Sequence, residues 1–201
     1  MLCDTTAFMG VKVAKFGGSS VADAGQLRKV QAIVRENPER RVVVVSAPGK
    51  RTAQDAKITD LLYQCHECVR AGSGLDAVFQ TLADRYREIV RDLGVSVEIE
   101  KDLAAARDGI LSSVTADFAA SRGEYLNARI TAALLGSEFV DAAEIIRFDS
   151  NGKLLSAETD KAIAERLLGA KPVVVPGFYG AMPDGSVRLE FSFQGSYPAY
   201  T

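Results

Sequence analysis

The sequence predicts a three-layer α/β sandwich (helices on both faces) around a mostly parallel sheet, on three observations. Short β-branched runs at residues 11–16, 41–46 and 171–175 are separated by long segments with helical spacing. The second and third runs, RVVVVS and KPVVV, are apolar throughout instead of alternating, as in strands covered on both faces. A chain of 201 residues with 47% hydrophobic and 25% charged residues can also close one sizeable core.

Taken in order, residues 11–16 (VKVAKF) read as a buried strand leading into Gly17-Gly18-Ser19-Ser20. Val21, Leu27, Val30, Ile33 and Val34 then recur at helix spacing as far as Asn37-Pro38, with Ser20 a candidate N-cap supported by Asp23. The strand at 41–46 is followed by a polar loop, 47–58, rich in Lys and Arg. Thr59 is a plausible N-cap for a helix over 60–70, and residues 71–74 break it. Residues 75–93 carry Val78, Leu82, Tyr86 and Val90 on one stripe, and 99–119 form a further long helix. Residues 121–124 (SRGE) open another over 125–135, with Gly136 as its stop. Short strands are expected at 138–141 and 145–148, a turn at 149–152 and a helix over 157–168 closed by Gly169. The strand at 171–175 runs into Pro176-Gly177-Phe178, and Met182-Pro183-Asp184-Gly185 reads as a hairpin turn.

Composition excludes several classes. Lys plus Arg (24) nearly balance Asp plus Glu (26), so the basic excess of a nucleic-acid binder is missing. No apolar run approaches the roughly 18 residues of a membrane span, so no membrane partner is expected. The first residues carry an acid and no basic n-region, unlike a signal peptide. Three cysteines without a paired pattern fit a reducing compartment, so a soluble cytoplasmic protein is expected. With His66 as the one histidine, a multi-histidine metal site is ruled out. Cys65-His66-Glu67-Cys68 offers three ligands where zinc takes four, and its cysteines share helical spacing with Leu61 and Leu62, so both are expected to face the core and no metal ligand is assigned.

The strongest local signal is Lys15-Phe16-Gly17-Gly18-Ser19-Ser20 between a strand and a helix. Backbone N–H groups of a glycine turn make a cradle for anionic oxygens, to which Lys15 adds a charge. It is neither GxxxxGK[ST] nor GxGxxG. Position alone leaves a plain capped turn equally open; a lysine inside an otherwise apolar strand favours function.

KFGGSSV, followed by VVVVSA, TDLL and RGEYLNAR in that order, resembles the aspartate kinase family of the amino-acid kinase superfamily, over about residues 11–180. The resemblance implies the N-terminal, amino-acid-binding lobe of that fold. It also implies phosphoryl transfer from ATP, with Mg²⁺, to the β-carboxylate of L-aspartate, the step that opens lysine, threonine and methionine synthesis. Carried over, Lys15 neutralises charge on the transferring phosphoryl group. Gly17, Gly18 and Ser19 touch the nucleotide phosphates, and Ser46 borders the same pocket. Thr59 and Glu124 hold the amino acid, with Glu124 facing its ammonium group, while Gly177 and Phe178 close over it. Asn127 stands where many relatives have serine. Taken singly, Thr59 is equally a routine N-cap, Glu124 a capping-box partner of Ser121, and Phe178 a core residue.

The resemblance stops near the C-terminus. The family's F-S-R-G-G-S-D falls on residues 191–197 (FSFQGSY), placing Phe193 at the arginine that grips a substrate carboxylate and Tyr197 at the aspartate that organises the catalytic lysines. The expectation is a truncated lobe, without the nucleotide-binding half or regulatory ACT domains, and inactive or nearly so alone. An interrupted gene product is favoured over a shortened aspartate-binding or interaction module and over a fragment completed by another chain. Loss of the remaining strands would leave an edge prone to homo-oligomer formation. A kinase for another amino acid is the remaining enzymatic alternative.

Overall fold

The computed structural model describes residues 10–113, 115–167 and 171–189, and every structural statement below concerns these. In chain order they form β1 (Lys12–Phe16), α1 (Ala24–Glu36), β2 (Arg40–Val45), α2 (Ile58–Arg70), α3 (Asp76–Leu93), α4 (Ile99–Ser112), α5 (Ala116–Leu135), β3 (Glu138–Phe139), α6 (Ala142–Ile145), α7 (Ser156–Leu167), β4 (Val173–Pro176), β5 (Tyr179–Ala181) and β6 (Val187–Leu189).

The sheet is parallel throughout, in the order β1-β2-β4-β3, and β5 and β6 form a separate antiparallel hairpin across the expected 182–185 turn. Phe16 pairs with Val45, and Val45 with Pro176, so three neighbouring strands end level. The ladder runs one residue further, with the Ser46 N–H donating to Phe16 O and the Gly177 N–H to Val45 O, both at 3.1 Å. Three loops therefore leave the carboxyl ends of adjacent parallel strands side by side, where an open α/β sheet binds ligands.

Two apolar clusters flank the sheet. Val43, Val45 and Val174 pack on the α1–α5 side, while Val42, Val173 and Val175 face α6 and α7. The second layer is short. Over β1 and β2 it leaves an apolar groove of about 370 Å³ lined by Val11, Val13, Val42, Val44, Ile146 and Ile163. The first strand is thus an edge and not the buried strand expected, with Val13 65% exposed.

Four boundaries differ from expectation. Asp23, not Ser20, caps α1, accepting from the Gln26 N–H at 2.9 Å. Helix α2 starts at Ile58, so Thr59 lies inside it and is no cap. One helix, α5, spans the expected break at 119–121, and the interruption comes earlier, where the Thr115 side chain accepts from the Phe118 N–H. The expected strand at 145–148 is the end of α6, followed by isolated bridges at Arg147 and Phe148. The 168–169 helix stop lies outside the described residues.

Gly123 lies inside the unbroken α5 for a packing reason. It looks like a helix breaker, yet a Cβ there would stand 2.9 Å from Ala47 Cβ and 3.0 Å from Leu62 Cδ1. Its hydrogen lets α2 and the loop after β2 close on α5, and its carbonyl accepts from the buried Tyr86 hydroxyl at 2.7 Å. Gly123→Val is expected to lower unfolding free energy by about 2 kcal/mol through overpacking, read from urea denaturation.

Candidate active site

The glycine turn between β1 and α1 tightens into a single 3-10 turn, Gly18–Val21. Its backbone lies against the loop after β2: the Gly49 N–H donates to Gly18 O at 2.8 Å, and a Cβ on Gly49 would meet Gly18 C at 2.8 Å. Gly18 and Gly49 are thus required for backbone contact. A Cβ on Gly17 would meet nothing within 4 Å, so protein packing does not dictate that glycine.

Turn, loop and α5 enclose a pocket of about 450 Å³ lined by Gly18, Ser19, Ser46, Thr59 and Glu124, together with Ala47, Pro48, Gly49, Lys50 and Lys57. Ser46 is set by its carbonyl, which accepts from Asn127 Nδ2 at 2.7 Å. Thr59, in the first turn of α2, lines the pocket and does not cap the helix.

Glu124 is neither a cap nor solvated. It sits well inside α5, 7% exposed, and its Oε2 has no hydrogen-bond partner. Burial pushes its carboxyl up to about 8, against the opposing pull of the Lys15 charge. A buried carboxyl group with an unpartnered oxygen in a residue that lines a pocket has the chemistry to pair with a cation.

Lys15 and Phe178 stand at the same strand ends but outside this lining, Gly177 and Phe178 facing the apolar groove instead. The Lys15 ammonium lies 3.7 Å from the centre of the Phe178 ring, and a Cβ on Gly177 would be 3.8 Å from Glu124 Oε1. Phe178 holds φ +60°, a left-handed conformation that costs a non-glycine residue about 1–2 kcal/mol. Phe178→Gly is accordingly expected to be about 1 kcal/mol more stable than Phe178→Ala, although both lose the ring beside Lys15; paired urea melts would show it.

All nine residues singled out from the sequence therefore fall at one end of the sheet. Lys50 and Lys57 were missed, because lysines in a polar loop look like ordinary solubilising charge. Phe193 and Tyr197 lie outside the described residues. Cys65 and His66 are buried on α2, and burial pushes the Cys65 thiol up to about 11, so it behaves as an apolar side chain.

A parallel sheet with a glycine turn, a buried carboxyl group and lysines gathered beyond the carboxyl ends of its strands defines an α/β domain with a charged strand-end pocket. Residues 10–196 match the sequence profile of the amino acid kinase family, and the chain belongs to that family. It is 34% identical to aspartokinase 3 of Bacillus subtilis, over 92% of this chain and 44% of that protein. The aspartate kinase of Clostridium acetobutylicum superposes with a TM-score of 0.88 at 43% identity, over 94% of this chain and 43% of the other. Escherichia coli aspartokinase III, solved with aspartate and ADP, shares the fold, with a TM-score of 0.72 at 22% identity. This chain spans less than half the length of these relatives.

Proposed function

We propose that this chain is the amino-acid-binding lobe of an aspartate kinase, transferring the γ-phosphoryl group of ATP to the β-carboxylate of L-aspartate. The observation that carries this is Glu124: a buried carboxylate with an unpartnered oxygen beside Lys15 and the glycine turn.

In this reading Glu124 takes the substrate ammonium, Thr59 and the Gly177-Phe178 segment flank the amino acid, and Gly17, Gly18, Ser19 and Ser46 border the nucleotide phosphates. Lys15 stands between the two and offsets the negative charge of both reacting groups. A β-carboxylate with an ordinary pKa of about 3.9 is ionised at neutral pH, so its oxygen can attack the γ-phosphorus without a general base while ADP leaves. Catalysis then rests on positioning and charge neutralisation, which suits a pocket without histidine. The donors present, ammonium groups and backbone N–H, suit phosphate oxygens; among the described residues no three His, Cys, Asp or Glu side chains gather. Mg²⁺ is therefore placed on the nucleotide, where it would supply further neutralisation. A cytoplasmic setting and self-association belong to the same proposal.

Calorimetric titration with L-aspartate, L-glutamate and N-acetylglutamate, beside aspartate-dependent ADP release from Mg·ATP, tests the reading. L-Aspartate is expected to bind and N-acetylglutamate, which lacks the ammonium group, is not. Equal binding of the two, or binding of none, overturns it. Aspartate binding indifferent to nucleotide and to loss of Lys15 would instead favour a non-catalytic binding module.

A further inference from the structure

Arg85 lies on α3, more than 25 residues in sequence from every residue lining the pocket on its N-terminal side, and is 4% exposed. Its guanidinium makes three carbonyl contacts: Nη1 donates to Ala56 O at 2.8 Å, and Nη2 to Gly49 O at 2.7 Å and Ala22 O at 3.4 Å. The Asp55 carboxylate stands 3.5 Å away.

The positions of these carbonyls matter. Gly49 O belongs to the peptide unit that precedes Lys50, and Ala56 O to the one that precedes Lys57, so the fork grips the chain immediately before each pocket lysine. Ala22 follows the glycine turn, and the Gly49 N–H already bonds to Gly18 O. One planar side chain thus ties both ends of the 49–56 loop to each other and to the turn. A lysine, with a compact ammonium, cannot span three carbonyls set this way. The loop is braced outside by Arg51, paired with Asp55 and with Glu88 of α3 at 2.8 and 2.7 Å.

We propose that Arg85 is a positioning residue: it fixes the peptide units before Lys50 and Lys57 so that both ammonium groups line the anion pocket, and its release opens that pocket without unfolding the domain. The assignment of the pocket to phosphate rests on the kinase reading; the clamp itself does not.

Trypsin supplies the test, because the loop and the residue that ends it carry three cleavage sites, Lys50, Arg51 and Lys57. Arg85→Lys and Arg85→Gln are made in the full chain and digested, and cleavage in the loop is compared with cleavage after Arg107 and Lys161 elsewhere. The expected result is loop cleavage about tenfold faster in both variants with the distant sites unchanged, and affinity for inorganic tripolyphosphate at least about fivefold weaker by calorimetry. Unchanged loop cleavage overturns the proposal, and so does a parallel rise at all sites, which would make Arg85 a general stabiliser. If the unmodified chain binds no tripolyphosphate, the phosphoryl reading fails while the cleavage ratio still decides the clamp.

Discussion

Glu124→Gln is expected to weaken L-aspartate binding at least about 30-fold and, at the same time, to stabilise the fold at alkaline pH. Burial raises the Glu124 carboxyl from 4.5 to about 8. In the unfolded chain the group ionises near its ordinary value, so between those limits the folded state holds a proton that the unfolded state has released. Stability from this group is complete below about pH 4.5 and is lost as pH rises through about 8. The rise corresponds to about 5 kcal/mol at full ionisation. Glutamine has the same shape and never ionises, so the variant should lose none of it. Urea melts near pH 5 should nearly superimpose for the two proteins, whereas near pH 9 the variant should be more stable by several kcal/mol, on the order of the same linkage term. Identical pH dependence would mean that Glu124 is already ionised in the folded protein.

The binding half of this prediction has an independent readout. A ligand ammonium that pairs with Glu124 must convert its acid form to carboxylate, so near pH 7 binding should release close to one proton, detectable as a buffer-dependent enthalpy. Losing one partner of a buried, hydrogen-bonded charge pair removes about 2–5 kcal/mol of binding, at least about 30-fold in affinity. A site that is costly to the empty fold and useful only when filled is what a substrate receptor looks like.

The fold was legible because its signals are local. The runs at 41–46 and 171–175 could only be buried strands, and the glycines after Phe16 needed a turn. Boundaries failed where a local preference met a tertiary demand. Thr59 is a good cap by composition, but the helix begins one residue before it, and the residue lines the pocket instead. Gly123 weakens a helix in isolation, yet α2 needs its missing side chain. Val13 has the composition of a core strand residue, and its exposure follows from how far the second helical layer reaches, which no local pattern encodes. Arg85 is one of three arginines along α3, with Arg87 and Arg91; its spacing of three from Leu82 and four from Ile89 puts it on the buried stripe, but a charge there reads as a surface residue until the carbonyls it meets are seen.

Lys15→Met should disturb both halves of the pocket, and the way it does so separates its roles. The Lys15 charge is the one influence that holds the Glu124 carboxyl down against burial. Without it, the carboxyl moves above 8 and the pH at which aspartate binding becomes strong moves up with it. Nucleotide affinity should also fall, at every pH, because the phosphates lose a cation at the strand end. If the proposed kinase reading holds, phosphoryl transfer measured in a complete kinase carrying this lobe should fall by about 10²–10³-fold or more, the usual effect of removing one preorganised charge contact. Lys15→Arg keeps the charge but replaces a compact ammonium with a broad fork. It should restore the Glu124 titration and part of the nucleotide affinity, yet not transfer, since a point charge between two reacting anions must be placed and not merely present. In a Lys15→Met, Glu124→Gln double variant, the effects on aspartate binding should fall well short of their sum, because each residue sets the charge state the other depends on. Strict additivity would show two separate sites that merely adjoin, and the acid–lysine pair could not then be the element that couples amino acid to nucleotide.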